Sequence, residues 1–172
     1  AAYELPAHTR VVVVPAVNPD GIAAGTRNNA HNVNLARNFP SANWKADTEI
    51  ASGVLPGGGG VSPGSEPEAA ALITLTRTLR PRLEVSFHAQ GSLVGANKYA
   101  DSVRIGEGYA KMVGYKTMFY NAEAVMGYSI TGEYEEWMGE EMNIPALLIE
   151  LPTLSGNYFS AQRSALLTTV AQ

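Results

Sequence analysis

Pro145-Ala-Leu-Leu-Ile-Glu-Leu-Pro152 is the stretch whose reading decides the fold. Its apolar residues run without alternation and carry one carboxylate, Glu150, almost to the end of the run, where Pro152 stops it. An unbroken apolar run this short reads as a strand of a parallel sheet buried on both faces, and proline closes it because it has no N–H to continue the ladder. A carboxylate at the tip of such a strand is costly unless it is paired or lies beside a metal. Glu150 is therefore either a site residue or an acid bonded to nearby backbone, and the rest of the chain decides between the two. Val85-Ser-Phe-His88 is a second apolar run, and it ends in a group that can bind metal.

Working outward, Leu83 to Phe87 reads as a strand with His88 at its C-terminal end, where ligands bind in open α/β sheets. Arg10-Val-Val-Val-Val-Pro-Ala16 is β-branched, short and closed by turn residues, which predicts a central parallel strand. Ser65-Glu-Pro-Glu68 predicts a helix start, with Ser65 as cap and Pro67 in the first turn; the helix runs to about Leu79 before Pro81. Further helices are predicted from Ala100 to Val113, from a Thr131 cap to Met142, and from Ser160 to Ala171. Glu133, Glu135, Glu136, Glu140 and Glu141 read as the solvated face of the second of these. Ala1 to Leu5 resembles the tail of a helix. Val17 to Ser65 has no sustained period and reads as a long loop with brief helical turns, a kind of segment that is usually functional when it lies inside a compact domain. Lys116 to Val125 is left as strand or loop. Strands alternating with helices predict an α/β fold, a mostly parallel, mixed sheet with helices on both faces.

The chain has 172 residues, enough for one domain, and a formal net charge of -4. It offers no basic face for nucleic acid or an anionic membrane surface. It has no cysteine, which removes disulfides, thiolate zinc sites and cysteine nucleophiles together. No signal-peptide pattern or membrane span is present, and the compartment is left open between bacterial cytoplasm and secretion. A His and a Glu at separate strand ends, with Arg27 and Arg37 in the long loop, supply a metal ligand, a general base and fixed cations. That combination suits hydrolysis, and no Gly-x-Ser-x-Gly elbow or His-Glu-x-x-His motif competes with it.

Asn18-Pro-Asp-Gly21, Arg27, Asn34-Leu-Ala-Arg-Asn-Phe-Pro40, Ser65-Glu-Pro-Glu68, Phe87-His88 and Ile149-Glu-Leu-Pro152 resemble, in that order, the motifs of zinc metallocarboxypeptidases. Ala42-Asn-Trp-Lys45 and Ser86-Phe-His88 are similar to the bacterial murein peptide amidase branch. The resemblance covers almost the whole chain and implies one carboxypeptidase-like catalytic domain over residues 1–172, a zinc cofactor and a small peptide substrate. It implies that His88 is a zinc ligand and Glu150 the general base, that Arg27 stabilises the oxyanion, that Arg37 anchors the substrate's terminal carboxylate, and that Asn38 is a substrate-binding residue. Tyr128 is similar to the mobile tyrosine that closes over the substrate.

Departures from the family pattern matter as much. The family's His-x-x-Glu motif belongs upstream of the Val11 strand, so the resemblance implies an N-terminally incomplete domain with one zinc ligand of three. Asn34 and Ala36 stand where the usual Asp-Leu-Asn-Arg has an acid and an amide, and Ala89 to Ala96 matches no branch. Two readings follow: a zinc-dependent peptidase whose present stretch is inactive alone, or a degenerate relative that binds peptides or a partner through the same cleft. Either way, an apolar edge at Val11 to Val14 is expected to pair with another copy or with a companion N-terminal fragment.

Overall fold

The computed structural model describes residue 5, residues 7–119 and residues 122–171. The helical tail read at the start of the chain falls outside them except for Leu5. In chain order the elements are α1 (Pro19–Ala24), a 3-10 turn (Leu35–Arg37), β1 (Thr48–Ile50), β2 (Gly53–Leu55), α2 (Pro67–Leu79), β3 (Glu84–Ala89) and β4 (Leu93–Ala96). There follow α3 (Ala100–Val113), β5 (Lys116–Met118), α4 (Ala122–Met126), α5 (Tyr134–Met142), β6 (Ala146–Leu151) and α6 (Phe159–Val170).

The main sheet has the order β3-β6-β4-β5. β6 runs parallel to β3 and antiparallel to β4, and β4 is parallel to β5, so the sheet is mixed as predicted. The apolar run is buried because it sits between two neighbours: Ala146, Leu147 and Ile149 are fully inaccessible. Alternation then sends Glu84, Ser86 and His88 to one face with Ala146, Leu148 and Glu150, and Val85 and Phe87 to the other with Leu147 and Ile149. Against the first face, α2 and α5 pack a core of Ala69, Ile73, Trp137, Met138 and Ala146. On the second, α3 and α6 close over Val94, Tyr109, Leu147, Ile149 and Ala165.

Helix α2 starts and stops where proline and charge placement dictate. Pro67 fills the first turn with Glu68, Arg77 lies in the last turn, and Arg80 takes the left-handed conformation (φ 44°) before Pro81. The cap differs from expectation: Glu66, not Ser65, is the N-cap, and Ser65 Oγ instead donates to the Glu66 carboxylate at 2.9 Å. Helix α5 likewise starts later than predicted, with Glu133 at its N-cap rather than Thr131.

The predicted central strand at Val11 to Val14 is not one. Val11, Val12, Val13 and Val14 are 46%, 50%, 75% and 43% exposed, and no strand is assigned there. β-branched residues favour a strand only when a neighbour completes the ladder. Among the described residues β3 pairs with β6 alone and forms one edge of the sheet. Conversely, β4 and the β1–β2 hairpin escaped sequence reading. They are short, and glycines interrupt their patterns at Gly53 and Gly95.

Trp137 is fully buried, packs its ring 6.2 Å from that of Phe39, and donates from Nε1 to Glu141 at 2.8 Å. Trp137→Ala is expected to cost about 3–5 kcal/mol. Urea denaturation that finds less than about 1 kcal/mol would mean this core can collapse around the gap.

Candidate active site

The site begins with register. His88 and Glu150 are direct partners in the parallel β3–β6 ladder, so their side chains leave the same face at the C-terminal end of both strands. His88 is half-buried, with its side chain 29% exposed, and Nε2 lies 3.9 Å from Glu135 Oε1. Oε2 of Glu150 is buried and has no hydrogen-bond partner among the described residues. An acceptor left without a donor is expensive in a fold that otherwise satisfies its buried polar atoms, and it leaves this oxygen free to take a proton.

Glu135 corrects the sequence reading of α5. It is 7% exposed and faces the sheet, where Ser86 Oγ donates to it. Glu133 is also turned inward: its carboxyl meets Arg37 Nη1 at 3.4 Å, and its side chain is 26% exposed. Only Glu140 and Glu141 are exposed, as expected for a solvated face. The spacing of Glu135, Met138 and Met142, three and then four residues apart, places all three on the buried face; that apolar period was the available signal.

Burial and crowding act together on these acids. Burial, reinforced by Glu135, Glu136 and Glu150 and opposed by Arg37, pushes the Glu133 carboxyl up to about 7. Burial first, and Glu135 second, hold Glu84 well above the usual carboxylate range. A small cavity of about 60 Å³ opens among Gly95, Met118, Ile130, Glu133, Glu135 and Glu136.

Arg37 sits in the 3-10 turn with its side chain 7% exposed, its Nη1 donating to Ala36 O at 3.0 Å and its buried Nε–H without an acceptor. Asn38 is wholly buried and engaged: Nδ2 donates to Gly59 O at 2.6 Å, Ser62 O at 3.1 Å and Ser65 Oγ at 3.2 Å, while Oδ1 accepts from Glu66 N at 3.0 Å. Its side chain therefore pins the loop to the start of α2, with its Nδ2 hydrogens engaged within the fold. Gly60, at φ 86°, allows that approach, since a Cβ there would fall 2.4 Å from Asn38 Nδ2. Arg27 is exposed, its carbonyl tied to Asn18 Nδ2 at 3.0 Å, with no ion pair to a described residue. Tyr128 is half-buried between Gly127 and Ser129, the latter held through its N–H by Glu49 at 2.8 Å.

His88 contributes one nitrogen, and among the described residues no group of three or more His, Cys, Asp or Glu side chains is placed to hold a metal ion. Catalytic zinc takes three protein ligands and an open position, so these residues do not make a zinc site by themselves.

A mixed sheet covered by helices on both faces, with a histidine and a glutamate paired at adjacent strand ends and a buried arginine nearby, defines a metallocarboxypeptidase-type framework. The chain belongs to the zinc carboxypeptidase family, which matches residues 2–172. It is 32% identical over 161 residues to murein peptide amidase A of Escherichia coli K12, across 88% of this chain and 62% of that protein. The corresponding protein of Vibrio campbellii is 31% identical over 154 residues, 84% of this chain and 58% of that one. The crystal structure of murein-tripeptide amidase from Escherichia coli O157 superposes with a TM-score of 0.67 and 30% identity, over 90% of this chain and 64% of that one. Carboxypeptidase A of Helicoverpa armigera shares the fold, with a TM-score of 0.68 at 21% identity over 92% of this chain and 49% of that one. The chain thus spans about 62% of the length of the first curated relative it matches. Among the described residues no helix is long and apolar enough to cross a membrane.

Glu84 gives a test of the buried charge. Its folded pKa is raised, so as pH climbs past the ordinary carboxylate range the unfolded chain ionises first and stability falls. Glu84→Gln removes that penalty: its Tm is expected to match the parent's near pH 4 and exceed it at pH 8, by about 2–4 °C for each kcal/mol recovered. Thermal unfolding with the same difference at both pH values would contradict it.

Proposed function

We propose that residues 1–172 form part of one catalytic domain of a zinc-dependent peptide hydrolase that cleaves near the carboxyl end of a small peptide, in particular a murein peptide. Family membership and the names of the relatives support the reaction class. The observation that carries the reading is the pairing of His88 with Glu150 at one end of the sheet.

Glu150, with its unbonded buried oxygen, takes a proton from the attacking water and passes it to the leaving amine. Arg27 lies free to face the oxyanion that develops on the scissile carbonyl. Arg37 offers a planar fork to the substrate's terminal carboxylate. Asn38 acts through the loop it pins, fixing Arg37 next to it. Tyr128 closes over the bound peptide.

The zinc of the family is the cofactor, and His88 is one of its ligands. Because His88 alone does not hold a zinc ion, the remaining ligands come from outside these residues. Equilibrium dialysis is expected to find less than one zinc held per chain, and peptide assays on the chain alone no turnover; one tightly held zinc per chain overturns this. In a version extended upstream that does retain zinc, Glu150→Gln is expected to lower kcat on a murein tripeptide at least about 100-fold, with zinc content unchanged. Full activity in that variant would remove Glu150 from the role.

A second reading has its own observations. Asn34 and Ala36 replace an acid and an amide of the usual motif, which favours a relative that binds peptides without cleaving them. Zinc-loaded extended protein that binds a murein tripeptide but does not hydrolyse it would establish this reading instead. The partner surface is the same in both: the free edge of β3 and the exposed Val11 to Val14 accept a further strand, from a second copy or a companion fragment. Sedimentation showing only monomer at high concentration contradicts self-association.

A further inference from the structure

Arg37 already holds a carboxylate, and holds it badly. Elsewhere on this molecule Arg77 grips Glu141 with two bonds of 2.7 Å, the fork geometry that makes such pairs strong. Arg37 meets Glu133 through one nitrogen only, at 3.4 Å. Its Nε–H, buried in a side chain 7% exposed, has no acceptor at all. A guanidinium with a spare buried donor and a long single contact is satisfied in charge but not in hydrogen bonding. A carboxylate that reached it squarely would do better than Glu133.

The surroundings of Glu133 say what happens to it afterwards. Arg37 faces it from the 3-10 turn; Glu135 and Glu136 face it from α5, and Glu150 from β6. Arg37 is the one cation in that set. Separated from it, the Glu133 carboxylate would sit three-quarters buried among three other acids.

We propose that Glu133 is a built-in counter-ion of Arg37, which an incoming carboxylate displaces, and that Glu133 takes up a proton as it is displaced. The inference rests on the reading of Arg37 as the carboxylate anchor and adds a residue that no family motif assigns. Charge balances: one anion arrives at Arg37, one proton arrives at Glu133, and the local net charge is unchanged. The raised pKa of Glu133, about 7 with Arg37 still beside it, is in keeping with this, since losing Arg37 raises it further.

The sign of the pH dependence follows. Well below pH 7 Glu133 is already protonated and Arg37 is open, so anion affinity is independent of pH. Above it, each anion must bring a proton from solvent, and affinity falls with rising pH, by up to about tenfold per pH unit.

The test uses N-acetylglycine as the probe and its amide as a neutral control, titrated into the full chain by calorimetry from pH 6 to 8.5. Two buffers of different ionisation enthalpy count the protons taken up. The unmodified protein is expected to lose close to tenfold in carboxylate affinity over the last pH unit, with uptake approaching about one proton per probe. Glu133→Gln is expected to bind about tenfold or more tightly than the parent at pH 8, with a flat pH profile and no proton uptake. Glu133→Asp should restore the pH dependence. No proton uptake by the unmodified protein overturns the inference without any variant, as does an unchanged pH profile in Glu133→Gln. Arg37→Met separates the two layers. If it loses probe binding while Glu133→Gln behaves as the parent, only the counter-ion role fails. If it binds the probe as well as the parent, the anchor reading fails and takes the inference with it. Absence of carboxylate binding to parent and variants at every pH overturns both.

Discussion

Everything at this site depends on the register of two parallel strands. β3 and β6 pair so that His88 stands opposite Glu150, and the side-chain period of two allows no compromise. A slip by one residue would put Phe87 or Ile149 in the cleft and drive the acid into the core around Val94 and Tyr109. The register is fixed from the apolar side: Leu147 and Ile149 are fully buried against α3 and α6, leaving Glu150 to the opposite face. Burial of hydrocarbon thus places the polar atoms, although hydrocarbon has no part in the chemistry.

The same face carries an unusual density of acid. Burial first, and then the nearness of Glu135 to both, shifts the ionisation of Glu84 and Glu133 upward, with Glu136 and Glu150 adding to the effect at Glu133. The fold meets this charge with few cations and many small accommodations: Ser86 donates to Glu135, Arg37 reaches Glu133, and Lys98 holds Glu136 at 2.7 Å. Natural folds tolerate such concentrations where function requires them. Asn38 shows the complementary device. A single buried amide, bonded to four partners, ties a long loop to the first turn of α2 and so fixes the arginine next to it.

Much of this was legible in the chain. The two apolar runs gave β3 and β6, the proline and charge pattern gave α2, and the paired termini of the runs gave His88 and Glu150. The misreadings share a cause. Val11 to Val14 has the composition of a strand but no described neighbour, and composition does not supply a hydrogen-bonding partner. Leu93 to Ala96 has little composition to offer, yet it is a strand because β6 presents a free edge to it. The glutamates of α5 were assigned to solvent by charge alone, while the three- and four-residue spacing from Glu135 to Met138 and Met142 turns Glu135 inward.

The sequence by itself determined which groups are present and the local elements that carry them: a histidine and a glutamate at strand ends, two arginines in a long loop, helices begun and stopped by proline. Only the tertiary structure decided which of these face each other. Ser86 with Glu135, Glu133 with Arg37, and Asn38 with Glu66 are separated by 49, 96 and 28 residues, and no local pattern records such pairings. Local propensity acts over a few residues. Contacts between distant segments follow from how sheet faces and helices bury their apolar surface together, and the polar groups are carried along.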